Sequence, residues 1–307
     1  MAGVRLRVIT GPTGAGKSAL VHALAEHVPL AIVSADSRQV YRGFDIGTAK
    51  PTARERACVP HFGIDVVDPV TRYSAAAWAQ DAQAWIDDAV RAGREPAIVG
   101  GTGFYVRALT APLFVEPSLD ADGRRAIASH LRTLSLGEVK RWCAALDPTR
   151  AGLGRAQLER AIEVALLTGV PLSRWHQMAP GAPSRRARYL VVDPGPALGD
   201  RIAARLDHML DAGWIDETRA LDARIPESAP GWSATGYAVV RALARGAVGR
   251  AEARERILVA TRQYAKRQRT WMRHQLQPND VTRIDPRAPD AVSRALAWWH
   301  DTSGGMG

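Results

Sequence analysis

The chain has 307 residues, 46% hydrophobic and 23% charged, which excludes a disordered chain or a disulfide-stapled miniprotein and leaves room for two compact lobes. With 27 glycines, 19 prolines, no heptad array and no internal period, collagen, coiled-coil and solenoid architectures fall away too. The net charge of +10 points to a polyanionic partner wherever the cations cluster, no apolar run approaches the ~18 residues of a membrane span, and two cysteines fit a reducing compartment. The protein is therefore expected to be cytoplasmic and without a membrane partner. Both Cys58 and Cys143 are read as packing residues.

The N-terminus reads as strand, loop and helix. Val4, Leu6 and Val8 alternate with Arg5 and Arg7, a glycine loop follows, and Ala19 to Glu26 is rich in helix formers. The loop, Gly11-Pro12-Thr13-Gly14-Ala15-Gly16-Lys17-Ser18, satisfies the phosphate-loop pattern in the context that pattern requires. Its backbone N–H groups form an anion nest, Lys17 adds a full charge, and Ser18 offers a hydroxyl to a magnesium ion. Such a loop reports pyrophosphate or polyphosphate rather than ATP in particular.

Two further apolar runs, Leu30 to Val33 and Pro96 to Val99, read as strands, and Ala75 to Ala92 as a helix between them. Strands alternating with helices predict an α/β fold, a parallel sheet of P-loop NTPase type flanked by helices, with ligands beyond the strands' carboxyl ends. The Pro96 to Val99 run ends in Gly100-Gly101-Thr102-Gly103, without the magnesium-binding acid of a nucleotide hydrolase. Asp36 instead opens Asp36-Ser37-Arg38-Gln39-Val40-Tyr41 just past the second strand, on the rim of the phosphate loop. A carboxylate there serves as a general base for an acceptor, as a cap, or as a magnesium ligand, and spacing alone leaves the three open.

From about Ser118 to Arg186 no strand is evident. Leu158, Ala161, Ile162, Ala165 and Leu166 follow a helical stripe that ends at Gly169 and Pro171. Between Arg124 and Arg186 eleven basic residues face four acidic ones, so a fifth of the chain holds most of the surplus charge. The segment 118–186 is read as a helical insertion dividing the core into 1–117 and a mostly helical 187–307, with Pro180 to Ser184 as the returning linker. Tyr189 to Val192 supplies a fourth strand, followed by Asp193.

Beyond it, Ile202, Leu206, Met209 and Leu210 form an apolar stripe that sets Arg201, Arg205 and His208 on another face. A long helix from Ala251 to about Gln275 carries Arg262, Lys266, Arg269 and Arg273 at intervals of four, three and four, with Tyr264 and Trp271 beside them. That stripe either tracks a phosphate backbone or is a solvated helix face.

The phosphate loop, Ser34 to Tyr41, Asp45-Ile46-Gly47-Thr48-Ala49-Lys50-Pro51, Gly100 to Tyr105 and Thr261-Arg262-Gln263-Tyr264-Ala265-Lys266-Arg267-Gln268 occur in one order. Together they resemble the bacterial tRNA dimethylallyltransferase (tRNA isopentenyltransferase) family over about residues 6 to 275. The resemblance implies transfer of a dimethylallyl group from dimethylallyl diphosphate to N6 of the adenosine at tRNA position 37, 3′ of the anticodon. It assigns Asp36 as the base, places Thr102 near the reacting nitrogen, and points to Arg205, Lys17 and a magnesium ion on Ser18 at the departing diphosphate.

The partner it implies is the tRNA anticodon stem-loop. Asp36, Ser37, Arg38, Gln39 and Thr102 would meet its bases, and Arg124, Arg160, Arg262, Lys266, Arg269 and Arg273 its phosphates, around an adenine turned out of its stack. The chain departs from the family pattern at Gly152-Leu153-Gly154-Arg155-Ala156-Gln157, which stands where an Asn-Asp and a Gln-Arg pair are usual, and at Pro60-His61-Phe62, where His61 is read as a packing or capping residue. Three rivals are an adenylate isopentenyltransferase acting on free nucleotide, a small-molecule P-loop kinase, and a nucleic-acid-binding protein without catalysis. Nothing in the pattern calls for an obligate oligomer, and the chain is read as a monomer.

Overall fold

The computed structural model describes residues 5–111, 117, 119–178 and 185–301. Six strands form one sheet, all in parallel: β1 (Leu6–Thr10), β2 (Leu30–Ser34), β3 (His61–Phe62), β4 (Glu95–Gly100), β5 (Ala187–Val192) and β6 (Val281–Ile284). Their spatial order is β3-β2-β4-β1-β5-β6, so β1 lies between β4 and β5 and the phosphate loop leaves the middle of the sheet. The inner strands are apolar runs because helices cover the sheet: Val8, Ile9, Val33, Ile98, Leu190 and Val192 are all buried.

Two of these strands lay beyond the sequence reading. β3 is two residues long, and β6, with Thr282 and Arg283 inside it, is a half-polar edge strand without the apolar signature of the centre. The predicted helices appear with small shifts at their ends, at Lys17–Ala25, Ala75–Arg91 and Arg250–Gln275. Ser74 accepts the Ala77 N–H at the start of the second, and its buried face of Trp78, Ala82, Ile86 and Ala89 follows the helical period.

The chain folds into two compact units, residues 1–110 with 185–307, and residues 111–184. The first holds the sheet and the large core around it. The second consists of helices Ala121–Thr133, Leu136–Leu146, Arg155–Thr168 and Leu172–Gln177 around a core of its own, which includes Leu131, Val139, Cys143, Leu158 and Ile162. Cys143 is a packing residue there. Cys58, at the end of the short helix Ala53–Cys58, is solvent-exposed, so its reading as a packing residue is corrected. The proposed linker Pro180 to Ser184 lies outside the described residues.

Candidate active site

The phosphate loop is shaped by β1 below it and the helix Lys17–Ala25 above. Gly16 caps that helix with φ 100°, a left-handed conformation that a side chain would oppose. Lys17 Nζ donates to the carbonyls of Gly11 at 2.9 Å and Pro12 at 3.0 Å, folding over the cradle. Ser18 is exposed in the first turn of the helix.

The helix Leu198–Asp211 brings its basic face onto this loop. Arg201 Nε donates to Gly14 O at 3.0 Å, and Arg205 approaches Thr13 Oγ1 at 3.5 Å. Gly14, Gly16, Lys17, Ser18, Arg201 and Arg205 thus line one groove. His208, one turn on, is exposed and belongs to no such cluster. Burial, and then the Arg205 charge, hold the Lys17 ammonium down at about 8, with Asp36 opposing. The Arg205 guanidinium is likewise lowered by burial and supported by Asp36. Two cations and one carboxylate therefore share a desolvated space.

Asp36 lies past the end of β2, where Oδ1 accepts the Arg38 N–H at 2.8 Å and closes a tight turn. It lines two cavities. One runs from Thr13, Asp36 and Arg205 to an apolar wall of Ile202, Leu206, Met209, Trp214 and Ile257. The other, the larger of the two, includes Lys17, Ser18, Gly100, Gly101, His22 and His61. Thr13, Asp36, Arg205 and Tyr264 belong to both.

The loop after β4 carries Thr102, whose N–H donates to Ala35 O at 3.1 Å and whose Oγ1 accepts the Ser37 N–H at 3.1 Å. Sequence reasoning placed Tyr264 only as an aromatic beside the basic stripe, with no part at the Asp36 site. It lies on the long helix and lines both cavities beside Asp36, and burial and the Asp36 charge push its phenol up to about 12. Its position in the Thr261 to Gln268 motif was the available signal.

Several expected contacts resolve differently. Gln39 is committed internally: it accepts from Ser34 Oγ at 3.1 Å and donates to Thr48 O and Ala49 O at 3.2 and 3.0 Å. Its amide braces the Asp45 to Pro51 segment, whose Lys50 is buried between Asp45, Asp65 and the Tyr41 carbonyl. Arg38 hydrogen-bonds Ser233 Oγ. His61 Nδ1 donates to Val59 O at 2.7 Å, and its ring faces His22 at 5.6 Å in the larger cavity.

Of the four cations in the stripe on the long helix, Arg262, Lys266 and Arg273 are exposed. Arg269 is half-buried and forked onto Asp193 at 2.9 and 2.5 Å, with Gly195 O as a third partner, so the stripe does not present four equivalent charges. In the second unit Arg124 and Arg160 both pair with Glu163.

A phosphate loop at the centre of a parallel sheet, two arginines over it and a carboxylate at a cavity junction define a P-loop α/β transferase rather than a nucleotide hydrolase. A family model described as IPP transferase matches residues 39–275, and one described as isopentenyl transferase matches residues 4–59. A tRNA dimethylallyltransferase of Anaeromyxobacter sp. (strain K) is 40% identical over 302 residues, covering 93% of this chain and 99% of that one.

Among solved structures, the full-length tRNA isopentenylpyrophosphate transferase of Bacillus halodurans superposes with a TM-score of 0.69 at 31% identity, covering 98% and 96% of the two chains. A eukaryotic dimethylallyltransferase, crystallised acting on tRNA, reaches a TM-score of 0.81 at 25% identity, covering 99% of this chain and 80% of that one. The chain belongs to the IPP transferase family and is a prenyltransferase.

Proposed function

We propose that this enzyme transfers the dimethylallyl group of dimethylallyl diphosphate to N6 of the adenosine 3′ of the tRNA anticodon, position 37. The observation that carries the reading is the junction itself. One carboxylate, Asp36, borders both the phosphate-loop cavity and a cavity with an apolar wall suited to a hydrocarbon chain. The relatives' names supply tRNA as the acceptor.

In this mechanism the diphosphate rests against the loop amides, Lys17, Arg201 and Arg205, and the hydrocarbon lies along Ile202, Leu206 and Met209. As the allylic C1–O bond breaks, the electron pair leaves with the diphosphate, and these cations stabilise the growing charge. The adenine N6 supplies the pair for the new C–N bond. Because that nitrogen's lone pair is delocalised into the ring, its proton passes to the Asp36 carboxylate as the bond forms. Tyr264, which lines both cavities, and Thr102, bonded to Ser37 beside Asp36, orient the base.

A divalent cation fits the donor set. Among the described residues no three His, Cys, Asp or Glu side chains gather into a metal site, but Ser18 stands at the loop. Mg²⁺ is held this way elsewhere, by a hydroxyl, water and substrate phosphate oxygens, and it would neutralise the leaving diphosphate. No helix among the described residues is long and apolar enough to cross a membrane. We take the enzyme to act in the cytoplasm, where its tRNA acceptor would be met, and as a monomer.

Incubation with dimethylallyl diphosphate, Mg²⁺ and an anticodon stem-loop RNA, followed by nucleoside mass spectrometry, tests the reading. A C5H8 increment on one adenosine is expected, with no product from AMP and no phosphate release from ATP. Prenylation of AMP alone, or ATP turnover with a small-molecule acceptor, would overturn it in favour of a nucleotide prenyltransferase or a kinase.

A further inference from the structure

Gln268 is 7% exposed, on the inward face of the long helix one turn after Tyr264. Its carboxamide makes two bonds of 2.8 Å: Oε1 accepts the Thr13 N–H of the phosphate loop, and Nε2 donates to Gly101 O at the end of β4. A backbone donor at one end and a carbonyl at the other permit only one orientation of the amide. We infer that Gln268 is a positioning residue that sets the donor loop and the acceptor loop at the separation transfer requires.

The contact continues to the base. Gly101 leads into Thr102, whose Oγ1 accepts the Ser37 N–H, and Ser37 follows Asp36 in the chain. A planar amide of fixed length thus links the loop that cradles the leaving group to the segment that carries the proton acceptor. Gly101 suits the fit, since a Cβ there would lie 2.2 Å from Gln268 Nε2 and 3.0 Å from Gly11 O of the phosphate loop. The bridge also engages the Thr13 N–H, so the anion nest is left to the amides after it. Removing Gln268 should then disturb alignment and leave donor affinity in place.

The inference rests on the reading of Asp36 and the phosphate loop as parts of one reaction. Its test is Gln268→Met, which keeps length and burial and removes both bonds. Single-turnover transfer to the stem-loop is measured at saturating substrates, alongside donor affinity and donor sites per chain. A displacement on the order of 1 Å costs roughly a hundredfold in rate. We expect transfer to fall ten- to a hundredfold, with donor and RNA dissociation constants within about threefold of wild type and one donor site per chain. Gly101→Ala, which displaces the same amide from the other side, should give the same split.

Transfer within threefold of wild type in both variants overturns the inference while leaving the proposed function standing. A rate loss matched by lost donor sites, or weaker donor binding with the rate intact, also overturns it, by making the bridge a folding or donor-binding element. A wild-type protein inert with donor and RNA overturns the proposed function and the inference together.

Discussion

Thr102 and Ser37 are joined twice: Thr102 Oγ1 accepts the Ser37 N–H at 3.1 Å and donates its own proton to Ser37 Oγ at 3.4 Å. The two residues stand at the ends of β4 and β2, neighbouring strands of the sheet, so the pair ties the Asp36 turn to the Gly100 to Gly103 loop. Thr102→Val keeps the shape and removes both bonds, whereas Thr102→Ser keeps them. Transfer should fall at least tenfold in the valine variant and stay within threefold of wild type in the serine variant. The loss of folding free energy should be only about 1 kcal/mol, the usual net worth of such a bond. Rates and denaturant midpoints measured side by side check both halves.

Asp36→Asn should nearly abolish transfer, because general-base catalysis contributes about 10²- to 10⁴-fold and an amide accepts no proton at neutral pH. RNA affinity, spread over many cations, should change little. Donor affinity should change only modestly, since the Asp36 charge both supports the Lys17 and Arg205 cations and repels the anionic diphosphate. Single-turnover transfer and calorimetric binding of diphosphate to the same protein separate these effects; an asparagine variant that transfers at the wild-type rate removes Asp36 as the base.

Lys17 gives the site a pH dependence. Its ammonium, buried and beside Arg205, titrates at about 8 in the free enzyme. Diphosphate affinity should therefore weaken as pH rises through about 8, and bound diphosphate, itself anionic, should pull the titration upward. Folding stability moves the other way. Between the folded value and the ordinary lysine value the unfolded chain binds more protons, so this residue's contribution to stability rises with pH across that window. Diphosphate binding measured on both sides of pH 8 should show a loss that Lys17→Arg, which keeps its charge, does not.

The central strands and the phosphate loop were legible because each rests on a short local signal. Ile9, Val33 and Ile98 sit in buried apolar runs, and the loop is contiguous in sequence. The edge strands were not, since His61–Phe62 is too short for any periodicity and Val281–Ile284 mixes polar and apolar residues on a half-covered edge. The Asp36 segment could be placed on the correct rim from strand ends alone. Gln268 and Gln39 could not be assigned in the same way, because a glutamine's role depends on which distant backbone groups reach its amide, and those lie 255 residues away for Thr13 and nine or ten for Thr48 and Ala49. The pairing of Arg269 was hidden for a related reason: helical spacing gives the direction of Arg269, while the approach of Asp193 from the end of β5 supplies its partner.

That difference separates the four cations of the stripe into two groups with opposite expected phenotypes. Arg262, Lys266 and Arg273 are exposed, and replacing each by Gln should reduce the slope of log affinity against log salt by up to ~0.7 per lost phosphate contact in single-stranded RNA, with thermal stability unchanged. Arg269→Gln should do the reverse. It removes a forked ion pair to Asp193 and a bond to Gly195 O, so it should lower folding free energy by about 1.5 kcal/mol, the lower end for bonds to charged groups, and leave the salt slope near that of wild type. Filter binding of the stem-loop across a salt series, paired with thermal melts, distinguishes the groups. A slope lost in Arg269→Gln, with stability retained, would place that guanidinium on the RNA and break its assignment to Asp193.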